Sequence, residues 1–181
     1  MKKKIYLILG GVLVLFGFFY INSRINSRKF NEEDVVIRLA IYPFGFLEES
    51  YLIEITDSGN IRSSVGVRHH FIVEDGREID VDLENFFERV LRERTRRLRT
   101  ADFNLVMKLV HELEKSEYSG KMQLSRGGWG IRIYYNGIVY ERGSHHISNE
   151  NFPSENDEIF RILTEEIIRL SPLRISVRSF S

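Results

Sequence analysis

Trp129-Gly130-Ile131-Arg132-Ile133-Tyr134-Tyr135-Asn136-Gly137-Ile138-Val139-Tyr140-Glu141 is the stretch on which the fold class turns. Two runs rich in β-branched and aromatic residues flank Asn136-Gly137. Both central positions of a type I′ hairpin turn need positive φ, which asparagine and glycine reach at the least cost. The stretch therefore predicts two antiparallel strands, and the rest of the chain reads outward from it.

Upstream, Val35 to Tyr42 is a β-rich run ended by Pro43. Tyr51 to Asp57 alternates and turns at Ser58-Gly59-Asn60 into Ile61 to Val67, which predicts a hairpin. Phe71 to Val73 and Glu78 to Asp82 predict a second hairpin, closed around Asp75-Gly76. From Asp82, a good N-cap, Leu83, Phe86, Phe87, Val90 and Leu91 fall at helical spacing. Extending that helix would turn Arg94 and Arg97 into the apolar face, so it is expected to stop near Arg92.

Thr100 is expected to cap a second helix with Phe103, Val106, Met107, Val110 and Leu113 inward, closed by Ser119-Gly120. Downstream of the hairpin, Ser154 with Asp157 resembles a capping box. It opens a helix from Glu155 to Leu170 with Ile159, Phe160, Ile162, Leu163, Ile167 and Leu170 inward, and Pro172 stops it. Leu173 to Arg178 alternates and predicts a closing edge strand. Hairpins, helices, hairpin, helix, strand describe an α+β fold: a hairpin-rich antiparallel sheet with helices packed on one face.

A different kind of segment precedes this domain. Ile5 to Ile21 is seventeen residues without a charge, preceded by Lys2, Lys3 and Lys4. As a helix it measures about 25 Å, and Asn22 and Ser23 extend it toward the roughly 30 Å of a hydrocarbon core. Tyr6 and Tyr20 stand where interfacial rings prefer to lie. The division expected is a basic tail at 1–4, a transmembrane helix at 5–23, a juxtamembrane linker at 24–34 and the α+β domain at 35–181. A cleaved signal fits less well, because the apolar run is long for one and Ile21-Asn22-Ser23 offers a small residue at one subsite only.

Lysine and arginine flank both ends, so their count does not orient the span. Moving about four positive charges outward against the membrane potential costs on the order of 2 kcal/mol per charge per 100 mV. This favours an N-terminus inside and a domain outside the cytoplasm, in the cell membrane as a single-pass protein.

Composition limits the chemistry. The chain has 181 residues, 26 basic against 26 acidic side chains and no cysteine. Disulfides, thiolate metal sites and lipoprotein attachment are thereby excluded, and a general polyanion-binding role is disfavoured. No cofactor-binding pattern is present. Arg126-Gly127-Gly128-Trp129-Gly130 runs into a strand rather than a helix. Asp80-x-Asp82-x-Glu84 opens like a calcium loop, but Asn85 and Leu91 replace its glycine and its closing glutamate. With no nucleophile motif either, enzymatic turnover is not expected.

Three features remain. His69-His70 and His145-His146 could join a carboxylate such as Glu74 or Glu141 in a metal site, which would make the chain a metal-dependent enzyme. Adjacent strand residues point to opposite faces, so each pair offers one imidazole. His111 reads as a solvated helix position. Residues 74–88 hold seven acids and one arginine, whereas Arg89, Arg92, Arg94, Arg96, Arg97 and Arg99 crowd 89–99 against Glu93. That strip suits an anionic lipid, envelope polymer or protein partner, or else internal pairing with the acidic block. Nucleic acid is disfavoured, because no aromatics interleave for base stacking. Phe44, Phe46 and Leu47 form an apolar loop that either covers the core or meets a partner. The expected function is a binding module at the envelope. The alternatives are the metal enzyme and a cytoplasm-facing regulatory or immunity-type module.

Overall fold

In the computed structural model the Asn136-Gly137 turn has the expected backbone, with φ of 50° and 75° at its two central residues. It joins the two strands at one end of a six-stranded sheet. The structure describes residues 30–43, 49–68, 73–74, 77–78, 83, 86–116, 118, 129–144 and 155–175. The chain divides into two units, Met1–Phe30 and Asn31–Ser181, and the elements below belong to the second.

In chain order these are β1 (Val35–Pro43), β2 (Ser50–Thr56), β3 (Asn60–Arg68), the short β4 (Val73–Glu74) and β5 (Arg77–Glu78), β6 (Phe87–Arg97), α1 (Thr100–Lys115), β7 (Trp129–Tyr135), β8 (Ile138–Ser144) and α2 (Glu155–Leu170). The sheet order is β6-β3-β2-β1-β7-β8, and every neighbouring pair is antiparallel. β4 and β5 form a separate two-stranded ladder around residues 75–76. The fold is α+β.

β1 is central, which explains its nearly unbroken apolar run: it is covered on both faces. Ile37, Leu39 and Ile41 line up with Ile55, Ile53 and Tyr51 on one side and with Tyr135, Ile133 and Ile131 on the other. On this face Val106, Val110 and Leu113 of α1 and Phe160, Leu163, Ile167 and Leu170 of α2 complete the main core. Both helices therefore pack on one face. Phe103, Met107 and Ile159 sit at its margin, partly buried. Ile162, expected inward, is exposed, because the face of α2 is filled by Phe160, Leu163 and Ile167.

The opposite face carries a smaller cluster of Ala40, Tyr42, Leu52 and Phe86, with Leu83, Phe87 and Tyr134 against it. Arg68, only 8% exposed, lays its guanidinium 3.9 Å from the centre of the Tyr42 ring. A charge ladder runs beside this cluster. Glu54, 4% exposed, accepts from Arg38 at 3.3 Å and Arg62 at 2.6 Å, and Arg62 continues to Glu32 at 2.7 Å. The register sets Glu54 between Arg38 on β1 and Arg62 on β3, so the pairs are directly cross-strand.

One element differs in kind from the sequence expectation. The helix expected from Asp82 to Arg92 gives way to β6, a strand from Phe87 to Arg97. The ladder supplies the reason. Val65 faces Arg92 but Gly66 faces Val90, and Val67 faces Arg89 but Arg68 faces Phe87. Leu91 and Glu88 are thus extra residues absorbed as bulges. Each bulge resets the two-residue alternation. Val90 and Leu91 are exposed on this edge, so the helix-like spacing of Phe86, Phe87, Val90 and Leu91 does not mark one buried face.

Gly66 is required at this point. A Cβ there would overlap the Arg89 carbonyl oxygen and come within 2.7 Å of the Phe87 ring. Gly66→Ala is expected to cost about 1–3 kcal/mol, as overpacking against backbone does. Urea unfolding measures this, and an unchanged midpoint would mean that β6 is not held at this register.

Other boundaries also moved. α1 begins at Thr100 with Arg99 in the cap position and no side-chain cap, and it ends at Lys115 with Ser116 as its C-cap. Leu173 is buried and Ile175 packs against the core, but residues 173–175 are not strand. The rest of the expected closing strand lies outside the described residues. So do the Ile5–Ile21 run, the 44–47 loop, the Ser154 cap and the histidine pairs. No helix among the described residues is long and apolar enough to cross a membrane.

Candidate interaction surface on the edge strand

β6 lies at the edge of the sheet and pairs with β3 alone among the described strands. Its positions from Glu88 to Arg97 are exposed, in contrast with the buried β1 and β2. A strand in such a place must be polar to remain soluble, and charges on it deter indiscriminate pairing. The sequence meets that need with five arginines and two glutamates.

The register sorts these side chains. Ile61, Val65 and Val67 point to the helix-bearing side of β3, and their partners are Arg96, Arg92 and Arg89; Ser63 faces Arg94. Four arginines therefore share one side of β6, and the bulge at Leu91 is what brings Arg89 into phase with the other three. Arg62, Ser64 and Gly66 on the opposite side face Thr95, Glu93 and Val90. There Val90 is 49% exposed, and the bulge residue Leu91 beside it, which has no partner on β3, is 44% exposed. Glu93 accepts a hydrogen bond from Ser64 Oγ at 3.0 Å.

The six arginines expected to form one strip are not equivalent. Arg96 donates through Nε and Nη2 to the carbonyl oxygen of Leu170 at 3.1 and 2.6 Å. It thereby satisfies a terminal carbonyl of α2 at the negative end of the helix dipole, and its role is structural. Beside it, Ser171 Oγ donates to Ser63 Oγ at 2.9 Å, so the end of α2 is tied to β3 as well. Arg99 forms two hydrogen bonds with Asp102, and those bonds hold the Asp102 carboxyl below the usual carboxylate range. Arg92 pairs with Glu49 at 2.9 Å on the surface. Arg89, Arg94 and Arg97 make no ion pair or side-chain hydrogen bond with described residues and are the available cations.

The remaining expected site residues divide as follows. Phe44, Phe46, Leu47, His69, His70, His145 and His146 lie outside the described residues. No group of three or more possible metal ligands occurs among the described residues. His111 is exposed on α1, 3.5 Å from Glu114 and edge-on to the Tyr135 ring. The Arg38–Glu54–Arg62 ladder was not anticipated. Its signal lay in the alternation, since Arg38 and Glu54 are each the one charged residue of their strand and Arg62 stands between apolar and small residues. No family model matches the chain, and no curated protein matches it in sequence.

Proposed function

We propose that this chain is a single-span membrane protein whose α+β domain acts outside the cytoplasm as a binding module, through contact rather than turnover, with the arginine side of β6 as its contact surface. The observation that carries the reading is an edge strand exposed along its length, whose arginines at 89 and 94 stand on one side with no partner among the described residues. Cations left unpaired on a rigid sheet edge are pre-positioned for an anionic partner, and no ordering of the backbone is needed on binding. The apolar run Ile5–Ile21 supplies the tether.

Location is tested first. Ser58 is exposed in the turn between β2 and β3, and the chain has no cysteine, so Ser58→Cys introduces a single thiol. In intact cells an impermeant maleimide is expected to label it. Labelling only after lysis reverses the orientation, and native full-length chain in the aqueous fraction removes the anchor.

A further inference from the structure

A lipid headgroup or a polymer would use only the charge of β6, but the strand offers more. Every second residue of an edge strand turns its N–H and C=O away from its single neighbour. From Arg92 to Arg97 β6 runs without a register shift against β3. Its two sides differ as well: Arg92, Arg94 and Arg96 on one, and Glu93, Thr95 and Arg97 on the other, continued by the exposed Val90 and Leu91. An incoming strand is recognised on both sides at once, because its successive side chains alternate between them.

We infer that β6 takes up an extended acidic protein segment as a seventh strand, one with carboxylates at alternate positions and small or β-branched apolar residues between them. The inference rests on the proposed contact role of β6 and names its partner class. Alternate carboxylates would stand on the side of Arg89, Arg92 and Arg94, and the intervening apolar residues on the side of Val90, next to the bulge at Leu91. The arginines that repel a basic strand, and are left poorly solvated by a neutral one, favour this pattern selectively. A planar anionic membrane would meet a single row of cations and leave the backbone edge unused. The row therefore fits an extended peptide better than a bilayer.

The test uses the full chain in detergent micelles and a labelled acetyl-Glu-Val-Glu-Val-Glu-Val-Glu-amide, with binding read by fluorescence anisotropy. Four comparisons are made: a same-composition peptide with its four glutamates in one block, the alternating peptide N-methylated on its valines, the alternating peptide N-methylated on its glutamates, and phosphatidylglycerol vesicles. The alternating peptide is expected to bind on the order of tenfold tighter than the block peptide. N-methylation on the edge-facing register should abolish that margin, and the opposite register, with the glutamates methylated instead, covers the other alignment. Arg89→Glu with Arg94→Glu should weaken binding by about tenfold or more, whereas Arg97→Glu, the same charge reversal on the other side, should weaken it less. Circular dichroism confirms that each variant is folded.

Equal binding of alternating and block peptides, or indifference to both N-methylated forms, overturns strand addition and leaves anionic contact intact. Vesicle binding that the Arg89/Arg94 pair controls, without peptide binding, assigns the surface to lipid and overturns the inference. If neither peptide nor vesicle binds, the contact role of β6 fails together with it.

Discussion

Phe160→Ala is expected to lower the unfolding free energy by about 3–5 kcal/mol, the usual cost of removing a fully buried aromatic ring. Phe160 is fully buried where α2 meets the sheet. Its ring stacks on Tyr118 with centroids 4.9 Å apart and planes 5° from parallel. Tyr118 in turn donates its hydroxyl to the Glu141 carbonyl on β8 at 3.3 Å. Truncation therefore leaves a cavity and loosens a second side chain that links α2 to the far edge of the sheet. Trp129, the single tryptophan and half-buried on β7, reports the transition in urea. A loss under about 1 kcal/mol would mean that α2 is not seated on this core.

Glu54→Ala is the second large effect, expected at about 2–3 kcal/mol. Removing one member of a buried ion pair leaves its partners charged and desolvated, at about 3–5 kcal/mol when burial is complete. Here the arginines retain some access to water, with 30% and 16% of the Arg38 and Arg62 side chains exposed, so the figure is reduced accordingly. Arg38→Ala should cost less, because Glu54 keeps Arg62 and Arg62 keeps Glu32. Equal losses for the two variants would refute the ladder as drawn.

The sheet was legible in sequence to the extent that alternation was undisturbed. The hairpins at 57–60 and 136–137 and the helix Glu155–Leu170 lie where turn residues and periodicity placed them, and the helix from Thr100 starts as expected but ends at Lys115, short of Ser119-Gly120. What failed was β6, and the failure has a definite cause. Sequence pattern shows neither that Val90 and Leu91 face solvent at a sheet edge nor that one bulge at Leu91 and another at Glu88 interrupt the alternation, so the strand read as a helix. Unpaired arginines are costly in a core. A strand avoids the cost altogether, since Arg94 and Arg97 reach solvent from an edge. The arginine cluster was legible as a candidate surface, but its division into structural and available members was not. That Arg96 reaches Leu170, 74 positions away, is a property of the assembled sheet.

The place of β1 has a consequence for biosynthesis. Its neighbour β2 follows it at once, but its other neighbour, β7, begins only at residue 129, after β2, β3, β6 and α1 have all been made. At ribosomal speeds that interval is on the order of ten seconds. Throughout it, a strand that is apolar at nearly every position holds an open flank that only the late hairpin can close. Premature release or stalling before Trp129 would thus strand a half-built sheet with its most adhesive side uncovered, and chaperone demand should peak there rather than at either terminus.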